Sequence, residues 1–469
     1  MKGATMQGEE ICWADAGAIA EAVQNGAVSA ENVTAAILER IATIDKKLNA
    51  FVTVCAEEAL NAARGVDAKR ASGKALGPLA GVPVSLKDII LTKDIRTTAG
   101  SRLLETFVPD EDALLVSRLK AADAVIIGKT TTPEFCNKTV SDSPLTGETR
   151  NPWDLTRTPG GSSSGSAAAV AAGMGPLSIG TDGGGSIRLP AALCGVVGFK
   201  PTFGTVPSWP SIPCWDLLGH TGPMARSVAD IQRVMAVIGG ADPLDRETQI
   251  AWKKAPRGKP RVAWARTLDK LRPEPEVARA LDAVVGVAKR HAKSCVETTV
   301  NWTDPDQQFR VIVLSDIAAA LGDKLASEDN RAAMDPMLIQ MIEFGQTLKG
   351  SDVARAFAWR RAFSRQVLAL FENVDILIVP TTPVTAFDLG MLGPRVISGE
   401  KTSPYAWFNW TWPFNATGQP ALSLPVFNDG ALPAGIQIIG RPGEDERVLA
   451  FARELETQLD SGSTRRPQI

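Results

Sequence analysis

Histidine is nearly missing from this 469-residue chain, which has two, His220 and His291. His291 lies in AKRHAK, on the polar side of a helical stretch. A hydrolase of the Ser-His-Asp kind would have to use His220, in LLGHTGP, or do without an imidazole base. Zinc is disfavoured as well, because no H-x-x-x-H or clustered Cys/His spacing supplies its ligands, and no metal ligand is assigned. Six cysteines (Cys12, Cys55, Cys136, Cys194, Cys214, Cys295) are scattered without a C-x-x-C pair, which favours buried reduced thiols over a disulfide framework. Neither charge is in surplus: 50 Lys+Arg oppose 52 Asp+Glu, a formal net charge of −2. Nucleic acid is therefore not expected as a partner, since phosphate binding needs a basic surplus or a basic face. No apolar run approaches the roughly 20 residues that span a bilayer. The N-terminus, MKGATMQGEE, turns acidic before any apolar core and does not read as a secretory signal. No membrane partner and a cytoplasmic location are the expectations. What is present is an ordinary folded composition, 44% hydrophobic and 22% charged.

At roughly 150 residues per domain the length allows about three domains, yet no Pro/Gly/Ser-rich linker and no internal repeat divides it. Residues 1–65 read as helices. Asp15 is placed to cap AGAIAEAVQ, which stops at Gly26, and Ser29 to cap the next, where Val33, Ile37, Leu38 and Ile41 recur at helical spacing. Short apolar, β-branched runs follow at VPVSL (82–86), AVIIGK (124–129), GVVGF (195–199), RVAWA (261–265) and DILIVP (375–380). Helical patterns such as DEDALLVSRLKAA (110–122) and EVARALDAVVGVAKRHA (276–292) lie between them. This alternation predicts an α/β fold over 1–469, a single large domain whose buried central sheet carries helices on both faces. The stretch 303–352 is polar, helical and free of strand signals, and reads as a peripheral helical insertion.

Two segments are unusual: Pro159-Gly160-Gly161-Ser162-Ser163-Ser164-Gly165-Ser166 and Gly180-Thr181-Asp182-Gly183-Gly184-Gly185-Ser186. The first runs straight into AAAVAAG, a small-residue helix that Ser164 or Ser166 is placed to cap, then a strand, PLSIGT, and the second loop. Neither loop has the G-x-x-x-x-G-K-[ST] or G-x-G-x-x-G spacing of a phosphate cradle. Consecutive glycines also let several backbone N–H groups point at one spot without Cβ obstruction. Gly183, Gly184 and Gly185 before Ser186 predict an oxyanion hole beside a nucleophile. With histidine scarce, the base falls to Lys87, at the end of an apolar strand in GVPVSLKD, where burial can deprotonate a lysine near neutral pH.

These segments, G-V-P-x-x-L-K-D, P-G-G-S-S-x-G-S-A-A-A-V-A-A-G and G-T-D-x-G-G-S-I-R-x-P, closely resemble those of the amidase signature family of Ser-Ser-Lys hydrolases. The likeness continues through Cys194–Thr202 (CGVVGFKPT), GPMARS (222–227), NATGQPA (415–421) and PAGIQ (433–437), and covers about residues 15–460. It implies a central mixed sheet, a signature core over 66–240 and the C-terminal part of the sheet over 370–460. It further implies Ser186 as the acyl-forming nucleophile, Ser162 as a bridging serine after a cis peptide bond, and Lys87 as general base. Ser163, Asp182 and Arg188 fall at supporting positions. Ser164 stands where most members have glycine, and Gly183 occupies a variable position. No cofactor is implied.

Substrate identity is thinner in the sequence. Tyr405–Phe414 is densely aromatic although the chain has a single tyrosine, and Trp209 and Trp215 follow the 195–205 block. Trp209, Trp215, Trp407, Trp410 and Cys136 are the expected pocket residues, walling an apolar entrance for an aryl or bulky acyl group. The expected partner is a small-molecule amide, anilide or carbamate, with esters also open, and there is room for a homodimer. The runner-up function is the ammonia-releasing component of a glutamyl-tRNA amidotransferase, its A chain, which shares the signature, liberates ammonia from glutamine and works inside a multi-subunit complex.

Overall fold

Runs of residues that are apolar without alternation become the middle of one eleven-stranded sheet in the computed structural model. The structure describes residues 6, 8–255, 257–300, 302, 306–427, 432–459 and 465–469. The strands are β1 (Phe51–Val54), β2 (Pro83–Lys87), β3 (Val125–Thr130), β4 (Leu177–Asp182), β5 (Val197–Lys200), β6 (His220–Ala225), β7 (Arg261–Trp264), β8 (Ser294–Glu297), β9 (Ile376–Pro380), β10 (Ala421–Val426) and β11 (Ala434–Gly440). Across the sheet they run β1-β3-β2-β4-β6-β5-β10-β11-β9-β7-β8. β2 is parallel to β3 and β4, and β7 to β8 and β9. The remaining neighbours are antiparallel, so the sheet is mixed. Every residue of β2, β3, β9, β10 and β11 is buried, which is why these runs show no polar face: both sides of the sheet are covered.

The expected helices form close to their predicted limits at α1 (Ala16–Gln24), α2 (Ala30–Leu48), α3 (Leu114–Ala121), α4 (Ser164–Ala171) and α6 (Pro275–His291), while α5 (Arg188–Cys194) is one the sequence pattern did not mark. Residues 1–65 are not helical throughout: β1 interrupts them at Phe51–Val54, where the chain pairs with β3. Ser29 caps α2, its Oγ accepting from Asn32 N at 3.0 Å. Asp15 does not cap α1. A tertiary contact replaces it, with the Asp230 carboxylate accepting from Ala16 N at 2.9 Å and Gly17 N at 3.1 Å. The expected insertion begins at residues outside the described ones; from Asp306 onward it is helical, as α7 (Asp306–Leu321), Glu328–Ala333 and α8 (Pro336–Gln346), followed by α9 (Gly350–Leu370). No helix is long and apolar enough to cross a membrane among the described residues.

Helix α4 is buried along its whole length, and that burial explains its composition. A Cβ on Gly165 would lie 2.2 Å from Ala50 O and 2.5 Å from Thr131 N, so the helix can approach β3 only with a hydrogen there. Ser164 and Ser166 do not cap it. Ser164 is already its first residue, and Ser166 Oγ instead meets Thr130 Oγ1 at 2.7 Å. Gly165→Ala should therefore lower the denaturant midpoint, by about 1–3 kcal/mol of stability for overpacking. Gly286→Ala, in α6 where an added Cβ meets nothing within 4 Å, should raise it by roughly 0.4–1 kcal/mol. Equal midpoints for the two variants would show that α4 is not tightly packed.

Candidate active site

Parallel strands β2 and β4 are neighbours, so their carboxyl ends reach the same edge of the sheet, the usual place for a ligand in an open α/β sheet. Lys87 is the last residue of β2 and Asp182 the last of β4. Lys87 is fully buried. Its Nζ donates to Ser162 Oγ at 2.6 Å and Thr181 Oγ1 at 2.8 Å. Burial holds the lysine below its ordinary value, with the Cys136 thiol and the Asp182 carboxylate opposing that shift. The adjacent Asp88 is not its partner; that carboxylate accepts from Thr98 N at 3.1 Å and from Thr98 Oγ1.

Two loops carry the serines to this edge. The Gly161–Ser162 peptide is cis. Ser163 stitches the first loop to the second: its N–H donates to Ser186 O at 3.1 Å, and its Oγ donates to Thr181 O at 3.2 Å. Ser162 and Ser186 line the same cavity, with no direct hydrogen bond between their hydroxyls among the described residues. The N–H groups of Gly183, Gly184 and Ser186 bond to no described residue and are available to an oxyanion. Gly185 corrects the expectation. Its N–H donates to Asp182 Oδ1 at 2.7 Å, so it shapes the loop and is not free to donate to an oxyanion.

Asp182 and Arg188, both completely buried, organise that loop. Burial alone would raise the Asp182 carboxyl, but the Arg188 guanidinium holds it well below the usual range. Arg188 Nε and Nη2 donate to the two carboxylate oxygens at 3.0 and 2.9 Å. The other donors reach Thr411 O at 2.8 Å, Gln437 Oε1 at 2.6 Å and Asn415 Oδ1 at 2.6 Å. Asn415 returns a hydrogen bond to Asp182 Oδ1 at 2.8 Å. In the sequence Asn415 and Gln437 stand out only as members of the NATGQPA and PAGIQ segments; both meet Arg188 only through the fold, Gln437 from β11 and Asn415 from the segment before β10.

His220 lines the same cavity as the serines but is tied elsewhere. Its Nδ1 lies 2.8 Å from Leu218 O, which makes that nitrogen the N–H. Burial first, then the nearby Lys200 charge, push it well below the ordinary histidine value. It bonds to neither serine among the described residues.

Ser186 stands where two cavities meet, of about 290 and about 750 Å³. Cys136 and Trp215 line both, and Trp209 borders the smaller while remaining 59% exposed. Trp407 and Trp410 do not line either and are wholly buried. Trp407 Nε1 donates to Leu392 O at 3.0 Å, and the Trp410 backbone is held by Gln437 Nε2 at 3.1 Å, so both rings belong to the core. Their neighbours Tyr405, Phe408 and Trp412 wall the larger cavity, with Phe309 of α7 stacked on Trp412 at 4.6 Å. No group of three or more His, Cys, Asp or Glu side chains is arranged to hold a metal among the described residues.

The amidase family model matches residues 32–449. The chain belongs to the amidase family. It is 35% identical to the A component of the glutamyl-tRNA(Gln) amidotransferase of Moorella thermoacetica, over 98% of this chain and 99% of that one. Its structure is similar to a bacterial aryl acylamidase of the amidase signature enzymes, with TM-score 0.87, 26% identity, and 97% and 99% of the two chains covered. The match to the corresponding amidotransferase component of Thermotoga maritima has TM-score 0.74 at 29% identity, over 92% of each chain.

The ion pair yields a prediction for this amidase. Asp182→Asn leaves a buried guanidinium without its counter-charge and should cost about 3–5 kcal/mol, read by chemical denaturation. A loss below about 1 kcal/mol, the range of an exposed pair, would show that the site is wetter than its burial indicates.

Proposed function

We propose that this chain is a stand-alone amidohydrolase that cleaves a C–N amide-type bond through an acyl-enzyme on Ser186. The observation that carries the reading is a buried lysine hydrogen-bonded at 2.6 Å to Ser162, beside a cavity that Ser186 also lines. Desolvated Lys87 takes a proton from Ser162, and Ser162 takes one from Ser186 as its oxygen attacks the carbonyl. The contact between the two serines closes as substrate docks, since catalytic hydrogen bonds commonly tighten only in the complex. The free amides of Gly183, Gly184 and Ser186 hold the oxyanion, each typically worth about 2.7–4 kcal/mol. The proton returns through Ser162 to the leaving nitrogen, and water then cleaves the ester. The reading needs neither metal nor organic cofactor. Its substrate is a small-molecule amide.

A second reading, the ammonia-releasing component of an amidotransferase, is favoured by the end-to-end 35% identity to such a protein. The first is favoured by the higher structural similarity to the aryl acylamidase, 0.87 against 0.74. The purified chain alone should hydrolyse amides and take a fluorophosphonate label on Ser186, and Ser186→Ala should lose both activity and label while remaining folded. Labelling without turnover of any amide, joined by glutaminase activity once the other amidotransferase components are added, would select the second reading.

The base is tested by pH. Because Lys87 must be neutral to accept a proton and its value is lowered by burial, kcat/KM should rise with pH through that lowered value. His220→Ala and His291→Ala should leave this limb where it is, and Lys87→Ala should remove it. Lys87→Ala should also harm amides more than nitrophenyl esters, whose leaving group departs without a proton. A limb that follows His220 instead would end the Ser-Ser-Lys reading.

A further inference from the structure

The two cavities that meet at Ser186 share Cys136 and Trp215 as a partition, and their other walls differ in kind. Ser162 and Thr181 line the smaller cavity and not the larger. The smaller space mixes apolar walls, among them Ile89, Leu115 and Val206, with the carboxylates of Asp216, Asp245 and Glu247. The larger is walled by Phe309, Met337, Met341, Phe408 and Trp412, from α7, α8 and the aromatic segment. Thioether and aromatic walls suit varied apolar shapes.

Acyl transfer fixes which part of a substrate meets each wall. As Ser186 Oγ bonds to the carbonyl carbon and the C–N bond breaks, the nitrogen must receive a proton, and Ser162 is the group that delivers it. A general acid acts only within hydrogen-bond reach. The leaving nitrogen and its substituent therefore sit on the side that Ser162 faces. We infer that the larger cavity takes the acyl group and the smaller one the leaving amine, so that the substrates are amides of bulky apolar acids with ammonia or a short polar amine. The inference rests on the Ser186–Ser162 reading above. It reverses the arrangement in which an aryl amine fills the large aromatic chamber.

Wild-type enzyme is compared on 4-phenylbutanamide and its N-(2-aminoethyl) amide against acetanilide and N-acetyl-2-naphthylamine. The first pair should show the higher kcat/KM, by about tenfold or more, the scale at which pocket fit discriminates. Met341→Trp should lower kcat/KM for phenylbutanoyl substrates about tenfold more than for acetyl ones. Ile212→Trp, in the smaller cavity, should penalise the N-(2-aminoethyl) amide more than the primary amide. Intact mass after quenching reports whether a phenylbutanoyl group resides on Ser186. If that acyl-enzyme forms but the acetyl arylamides are preferred, or the two variants exchange their effects, the orientation is wrong and the mechanism stands. If no substrate acylates Ser186, the mechanism falls and the orientation with it.

Discussion

Everything at this site hangs on one buried ion pair. Asp182 ends β4 and Arg188 begins α5, and between them the chain must turn sharply enough to aim successive amides outward. All five guanidinium donors of Arg188 are used, two on Asp182 and three on Thr411, Asn415 and Gln437. Burying both charges is expensive in itself, and completing every hydrogen bond is what makes the arrangement tolerable. The return is positional. Gly185 N–H is pulled onto Asp182, and Thr411 Oγ1 donates to Gly184 O at 2.6 Å. With that amide and that carbonyl occupied, the N–H groups of Gly183, Gly184 and Ser186 are left without a partner among the described residues.

The lysine follows a related logic with opposite sign. Asp182 is kept charged by a matched cation, whereas Lys87 is given hydroxyl partners and no adjacent carboxylate in contact. Its desolvation outweighs the opposing pull of the Cys136 thiol and the more distant Asp182 carboxylate, and the amine is held below its ordinary value. Nearby Lys129 is lowered by burial as well, to about 8, with the Asp88 carboxylate opposing the shift.

Local pattern in the sequence carries much of this arrangement. The buried strands, the Ser29 cap and the positions of Lys87, Ser162 and Ser186 depend on short-range chemistry, and they lie where the pattern places them. What stays hidden in the sequence depends on contacts between distant segments. Asp230, 214 residues from Ala16, displaces the adjacent Asp15 as the cap of α1. The aromatic density of Tyr405–Phe414 signals a pocket, but not which rings face it. Pinning of the backbone around Trp410 by Gln437 sends that ring inward and leaves Phe408 and Trp412 at the cavity. Gly185 is indistinguishable from its neighbours until the Asp182 carboxylate takes its amide.

Chemistry and selectivity are consequently built from different parts of the chain. Lys87, Thr181 and Asp182 stand on strands whose register is fixed by pairing on both sides. The serine loops are bonded directly to them. The walls of the larger cavity come largely from α7, α8 and the aromatic segment, which lie outside the sheet. Among the described residues, side chains of α7 and α8 bond to neither member of the ion pair nor to the lysine, whereas the aromatic segment is tied to Arg188 and Gly184 through Thr411. That separation explains how end-to-end identity can join this chain to an amidotransferase component while its shape lies nearer an aryl acylamidase. Lys87, the ion pair and the serine loops are locked to the sheet and to one another, while most of the larger cavity's wall is set by helices that stand beside it.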